Sequence, residues 1–194
     1  MMTVVIMSIV AFALGSVPVG LVVARGRGID LKTSGSGNIG ATNVLRTTGK
    51  WPALFTLAGD IGKGALAMGA ARHLLSGDQA LGIVGLFAIL GHNFSPFVGF
   101  RGGKGVATSI GVLLVYAPQT GIITIIIWLM TVLLTRYSSM GALVAFGLMP
   151  VVMAVTDSQG KLPYAVIMTV LLFARHSSNI GRLLRGAEPR VGQK

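Results

Sequence analysis

The chain contains no cysteine and only five carboxylates among its 194 residues. The first absence excludes disulfides, thiolate metal sites and a thioester-forming nucleophile. The second leaves too few oxygen ligands for the acidic clusters that serve metal-dependent phosphoryl transfer. Charge of either sign is scarce: 11% of residues are Asp, Glu, Lys or Arg, where a soluble globular domain carries roughly 25%. Long apolar runs take their place, and 53% of the residues are hydrophobic. The net charge is +11, yet no polybasic tract concentrates it. That argues against nucleic acid as a partner and for an anionic membrane surface or an anionic substrate. One integral membrane domain, 1–194, is expected.

A spanning helix needs about 20 apolar residues. The runs 2–24, 51–75, 79–97, 139–156 and 162–174 fit or approach that length. The first run is read as a retained span, because Arg25 and Arg27 follow it and no cation precedes it, the reverse of a signal peptide. Pro118 divides 106–135 into 106–117 and 119–135. A helix of about 12 residues covers only about 18 Å, so these are two tilted spans or a hairpin that dips in and returns. The fold class is therefore an all-α polytopic membrane protein with about seven transmembrane helices, or five plus a re-entrant pair.

Odd parity puts Arg25, Arg27, Lys32, Arg46, Lys50, Arg101, Lys104, Arg136, Arg175, Arg182, Arg185, Arg190 and Lys194 on one face, and Arg72 and Lys161 on the other. The positive-inside rule then places the N-terminus outside and the C-terminus in the cytoplasm. The remaining cation, Lys63, sits three residues after Asp60 inside the second run. The two share a helical face and can pair. Whether they serve function or only join helices stays open at this level. Gly59, Gly62 and Gly64 beside them allow a close helix approach.

Three constellations fall on the basic face. Ser34-Gly35-Ser36-Gly37-Asn38-Ile39-Gly40-Ala41-Thr42-Asn43 precedes Arg46. It contains Gly-x-Gly-x-x-Gly, but no strand precedes it, so a dinucleotide fold is not implied. Its small residues suit a nest of backbone N–H groups for phosphate oxygens, with a helix starting near Ala41 adding its positive end. The second runs from Gly91-His92-Asn93 to Arg101-Gly102-Gly103-Lys104-Gly105. It misses a Walker loop by one residue of spacing and lacks the magnesium-binding hydroxyl. It still offers a close-approach cradle around a point charge. His92, at a span end, reads more simply as a packed, hydrogen-bonded histidine. In the third, Arg175 to Glu188, helical spacing aligns His176, Asn179 and Arg182 on one face. Together these form a recipe for binding phosphate esters, with catalysis by positioning and by stabilisation of developing negative charge.

The stretches Ser-Gly-Asn-Ile-Gly-Ala-Thr-Asn at 36–43, Gly-His-x₈-Arg-Gly-Gly-Lys-Gly-Val-Ala-Thr at 91–108 and Arg-His-x₂-Asn-Ile-x-Arg-Leu-x-x-Gly-x-Glu at 175–188 resemble the three signature motifs of the bacterial PlsY family. These are acyl-phosphate-dependent glycerol-3-phosphate acyltransferases. The resemblance implies transfer of a fatty acyl group from acyl phosphate to the 1-hydroxyl of glycerol 3-phosphate. The products would be lysophosphatidic acid and phosphate, in the first acylation step of phospholipid synthesis. It implies a bacterial inner-membrane location with the site facing the cytoplasm, membrane lipid as surroundings, a soluble enzyme that forms acyl phosphate as supplier, and no cofactor or metal. It assigns acyl phosphate to Ser36, Gly37, Asn38, Gly40, Thr42, Gly102, Gly103 and Lys104, and glycerol 3-phosphate to Arg46, Lys104, His176 and Asn179. Lys104, His176 and Asn179 would be the catalytic set. The proton of the attacking hydroxyl has two candidate acceptors, His176 and a substrate phosphate oxygen.

Two rivals fit less well. His73-x₄-Asp78 matches the dyad spacing of acyl-CoA-dependent enzymes, but on the sparse face. A transporter would need its polar groups midway through the membrane, where only Asp60 and Lys63 lie. The orientation is directly testable, because the chain supplies no background thiol. Arg27→Cys and Arg185→Cys should react with an impermeant thiol reagent only from the cytoplasmic side, and Ser158→Cys only from outside. Labelling of Arg27→Cys and Arg185→Cys from opposite sides would break the topology.

Overall fold

In the computed structural model, residues 1–192 are described; Lys194, one of the cations assigned to the basic face, lies outside them. Among the described residues there are helices and no strands. The order is α1 (Met2–Ser16), α2 (Val19–Arg25), α3 (Ala41–Thr48), α4 (Lys50–Leu74), α5 (Asp78–Asn93), α6 (Val106–Tyr116), α7 (Pro118–Thr135), α8 (Ser138–Thr156), α9 (Leu162–Arg175) and α10 (Ser177–Leu184). Short 3₁₀ turns lie at Pro96–Val98 and Gln159–Lys161.

Among the described residues, four segments are long and apolar enough to cross a membrane: Met2–Arg25, Asp78–Val98, Pro118–Thr135 and Ser138–Thr156. The run expected at 51–75 forms α4, whose 25 residues reach about 37 Å at 1.5 Å each. Asp60, Lys63 and its glycines dilute its apolarity. Pro118 divides the 106–135 region as expected, standing at the first turn of α7, where its missing N–H costs nothing. With only 11 residues, α6 is too short to cross alone and packs back against α7. Near the N-terminus the single expected run is two helices. Pro18 interrupts the hydrogen-bond ladder, and Val17 leaves the helix with an extended backbone.

The core gathers Met68, Val84, Val112, Leu113, Phe146, Met149, Met153 and Met168 between α4, α5, α6, α8 and α9. Outward faces are apolar too. Phe55, Leu66, Leu133, Leu134, Val151 and Val155 are exposed, as expected of helices solvated by lipid. Without a hydrophobic drive between helices in lipid, close packing at small residues takes over. A Cβ at Gly15 would overlap the Ala88 carbonyl oxygen, and one at Gly91 that of Phe12, so α1 and α5 touch backbone to backbone at two points. In the same way Gly64 abuts the Thr108 carbonyl and Gly111 that of Ile61, which closes α4 on α6. Of the three glycines expected to allow close approach, Gly64 meets backbone, Gly59 meets the Val19 side chain, and Gly62 faces open space.

A smaller apolar cluster of Leu21, Ala24, Leu31, Ile39, Val44, Ala53 and Val98 lies under the glycine-serine loop and fixes its base. Gly64→Leu should force α4 from α6 and cost about 1–3 kcal/mol, seen as a lowered thermal midpoint in detergent. Gly62→Leu, where space is free, should leave that midpoint nearly unchanged.

Candidate active site

The three constellations, far apart in sequence, line one cavity of about 550 Å³. Ser36, Asn38, Gly40, Thr42 and Arg46 come from the first loop and α3, Lys104 and Gly105 from the second loop, and His176, Asn179, Arg182 and Glu188 from the chain around α10. Away from this polar end the walls turn apolar, with Leu54, Leu57 and Ile61 on α4, Ile110 on α6, and Ile125, Trp128, Leu129 and Val132 on α7. An ionic mouth thus continues into a slot suited to a hydrocarbon chain.

Local chemistry builds each wall. In the first loop Asn43, buried on α3, folds back: its Oδ1 accepts from the Ser36 N–H at 2.9 Å, and its Nδ2 donates to Asn38 O at 2.7 Å and Ser34 O at 3.1 Å. Gly35 and Gly37 take positive φ, +61° and +73°, which glycine adopts without strain. The Gly37 N–H is bonded to Ser34 O and the Gly40 N–H to Asn38 Oδ1. The nest of free amides expected from the sequence is therefore not what Ser36, Gly37 and Gly40 form. Their N–H groups hold the loop's own shape. The hydroxyls of Ser36 and Thr42 and the amide of Asn38 line the cavity, beside α3, which begins at Ala41 as expected.

A similar correction applies to the second loop. Gly102 and Gly103 donate their N–H groups to Asn93 O and His92 O, each at 3.1 Å. Their carbonyls accept from Arg175, Nη2 to Gly102 O at 2.8 Å and Nε to Gly103 O at 3.1 Å. Neither glycine lines the cavity; both hold the frame that presents Lys104. Lys104 Nζ donates to Asn179 Oδ1. Asn179 Nδ2 donates to Glu188 Oε1 at 2.6 Å, as does Ser139 Oγ at 2.6 Å, while Arg182 Nε donates to Glu188 Oε2 at 2.7 Å. Burial pushes Glu188 up, but the hydrogen bonds from Ser139, Asn179 and Arg182 outweigh it and hold its carboxyl below the ordinary range. Burial, with the charges of Arg182, Arg175 and Arg46, lowers Lys104 to about 8 against the opposing pull of Glu188.

His176 is buried, and its Nδ1 lies 2.8 Å from Leu172 O. A carbonyl only accepts, so Nδ1 carries the proton and Nε2 is left as a lone pair. Burial and the Lys104 charge lower this histidine to about 4, so it is neutral at pH 7. Arg46 Nε is a buried atom with no hydrogen-bond partner among the described residues. Glu188, Ser139, Asn43 and Arg175 are the parts of this site that sequence reasoning did not assign. No group of three or more metal-binding side chains exists among the described residues. His73 and Asp78 form no dyad: His73 is exposed and the Asp78 carboxylate accepts from Ser158.

The all-helical fold, the cationic mouth and the apolar slot suit a membrane protein that handles an anionic, lipid-like molecule. The profile of the family described as glycerol-3-phosphate acyltransferase matches residues 5–186, and the chain belongs to that family. It is 46% identical over 187 residues to a glycerol-3-phosphate acyltransferase of Jannaschia sp. (strain CCS1), covering 96% of this chain and 92% of that one. It is 47% identical over 184 residues to that of Paramagnetospirillum magneticum, covering 94% and 91%. Among solved structures it is similar to PlsY, an integral membrane glycerol 3-phosphate acyltransferase, in its glycerol 3-phosphate form. The TM-score is 0.91 at 35% identity, over 97% of this chain and 96% of that one. The lysophosphatidic acid form gives 0.88 at 35% identity, over 96% and 94%.

Lys104 is cationic below its pKa and loses its charge as pH rises. The acyl-transfer kcat/KM should therefore fall through about pH 8. Lys104→Arg should move that alkaline limb upward, whatever it costs in rate. His176, already neutral, should give no break near pH 6.5. A pH–rate profile of the purified protein and this variant checks both.

Proposed function

We propose that the chain transfers a fatty acyl group from acyl phosphate to the 1-hydroxyl of glycerol 3-phosphate, releasing lysophosphatidic acid and phosphate. One observation carries this reading: a surplus of positive charge, half-buried at Arg46, Lys104 and Arg182 and exposed at Lys50, at the mouth of an apolar slot. Arg46, Lys50, Lys104 and Arg182 line the cavity against the carboxylates of Glu188 and Asp60, and Asp60 is already paired with Lys63 at 2.8 Å. Like charges gathered at one mouth repel one another and draw in anions, and two phosphate-bearing substrates supply the missing negative charge. The hydrocarbon tail of the donor fills the slot between α4, α6 and α7.

Ser36, Asn38, Thr42 and Lys104 face the phosphate of the donor, with Gly37, Gly40, Gly102 and Gly103 shaping the backbone that carries them. Arg46, Lys104, His176 and Asn179 hold glycerol 3-phosphate. Acyl phosphate is a mixed anhydride, so the acceptor hydroxyl can attack the carbonyl directly. The new ester C–O bond forms, the C–O bond to phosphate breaks, and Lys104 neutralises the departing phosphate. For the proton of the hydroxyl, His176 at about 4 is a weaker base than a phosphate monoester, whose second pKa is about 6. The substrate phosphate oxygen therefore takes the proton, and His176 Nε2 accepts a hydrogen bond that aims the hydroxyl.

In the cell this places the protein in the bacterial inner membrane as about seven spans, with the N-terminus outside, the C-terminus in the cytoplasm and the cavity mouth facing inward. A soluble enzyme that forms acyl phosphate supplies the donor there. Purified protein should make lysophosphatidic acid from glycerol 3-phosphate with acyl phosphate, and none with acyl-CoA or acyl carrier protein. Lys104→Ala should lose about 100-fold or more in kcat while still inserting. Equal use of acyl-CoA would overturn the choice of donor.

A further inference from the structure

Behind the second loop lies a buried polar group that the proposed reaction has not yet used. Lys63 on α4 is only 6% exposed. Its Nζ meets three acceptors: Asp60 Oδ1 at 2.8 Å, His92 Nδ1 at 2.8 Å, and the carbonyl of Val17 at 2.9 Å. Two of the ammonium's three N–H donors are directed at His92 Nδ1 and the Val17 carbonyl, and the Asp60 carboxylate balances the charge as an ion pair. The Val17 acceptor exists because Pro18 breaks the α1–α2 ladder. A buried charge persists only when so compensated.

The tripod has a chemical consequence for His92. An ammonium cannot accept, so Nδ1 must present its lone pair to Lys63. The ring is then neutral and its proton sits on Nε2. Asp60, 3.6 Å from Nδ1, lies on that same side of the ring. His92 is 5% exposed and lines the cavity, and among the described residues Nε2 has no protein acceptor. A Cβ on Gly103 would fall directly onto Nε2. Glycine at 103 thus lets the ring edge lie against its backbone, next to Lys104.

We infer that His92 Nε2–H is a catalytic donor to the carbonyl oxygen of the acyl donor, where negative charge develops, and that Lys63 and Asp60 are positioning residues that fix its tautomer. The inference rests on acyl phosphate being the substrate of this cavity. The placement suits the carbonyl because polar wall gives way to apolar wall here: Asp60 and Ile61 are consecutive on α4 and both line the cavity. A neutral donor is also the right kind there. With the Asp60 carboxylate nearby, a phosphate dianion is better held at Lys104 and Arg46, while an oxyanion that forms only during reaction needs a fixed N–H.

The test uses the full chain with ¹⁵N-labelled histidine. Three histidines are present, so His73→Gln and His176→Gln assign the signals. His92 should show an unprotonated Nδ1 and a protonated Nε2 at pH 7. An unhydrolysable acyl phosphonate should shift the Nε2 signal, and glycerol 3-phosphate alone should not. His92→Phe should lower kcat about 100-fold with KM for glycerol 3-phosphate unchanged, and Lys63→Met should mix the two tautomers and lower kcat. A wild-type ring protonated on Nδ1, or an Nε2 signal that ignores the phosphonate, overturns the inference. So does a His92→Phe protein with undiminished kcat. Should that variant not fold, the spectra of the unaltered protein decide. A wild-type protein inert toward acyl phosphate would instead defeat the proposed reaction, while the tautomer is read independently.

Discussion

The contact between the Lys104 ammonium and the Asn179 amide ties together the parts of the chain that must meet. Lys104 stands on a loop hung from the end of α5 by two backbone hydrogen bonds. Asn179 stands on the last helix, and its other amide atom holds Glu188. Through Glu188 the same chain of bonds reaches Ser139 at the start of α8 and Arg182 on α10. Arg175 closes the circuit from the other side by bonding the carbonyls of Gly102 and Gly103. Loop 99–105, α8 and α10 are thus fixed relative to one another by polar contacts at the cavity mouth. Apolar packing alone is non-directional and would not set them so closely.

Much of this was legible in the sequence, and for identifiable reasons. Pro118 cannot continue a helix in either hand of the reading, so the break at 117–118 followed from residue chemistry. Asp60 and Lys63 are three apart on a helix, so their pairing followed from helical period. Ser36, Asn38, Lys104 and Asn179 are polar or charged residues in glycine-rich breaks between apolar runs, and hydropathy with charge was enough to bring those breaks to one face. Glu188 closes the third motif, but its role was not legible, because its position depends on a tail that turns back after α10 at Gly186, where φ is +67°. Ser139 was hidden in an apolar run and looked like part of a span. The free-amide nest failed for a related reason. Small residues permit such a nest, but the loop satisfies these N–H groups itself: Asn43 Oδ1 takes that of Ser36, Ser34 O that of Gly37 and Asn38 Oδ1 that of Gly40.

The two buried histidines show how a chain without cysteine differentiates one residue type. His176 donates through Nδ1 to a backbone carbonyl four residues before it, a local bond that the helix end provides. Its free nitrogen is therefore an acceptor. His92 accepts through Nδ1 from an ammonium on another helix, so its free nitrogen is a donor. The difference lies entirely in the partner of the hidden nitrogen. A carbonyl partner comes with any helix terminus, whereas an ammonium partner requires a lysine inside the membrane, which requires Asp60 and the Val17 carbonyl to stabilise it.

That requirement accounts for features of the fold that look unrelated. The kink between α1 and α2 frees a carbonyl that an unbroken helix would have used. The backbone contact of α1 with α5 at Gly15 and Gly91 brings that kink beside the end of α5, where His92 sits. The contact of α4 with α6 at Gly64 and Gly111 lies one residue from Lys63. Each glycine removes a side chain where the tripod needs backbones close together. In lipid, where such closeness is not driven by water, a charged side chain seeking three acceptors supplies direction that small residues alone do not. The intramembrane ion pair is in that sense a register device. It converts loose helix contacts into one arrangement, in which a neutral His92 stands in the cavity wall with its proton on Nε2.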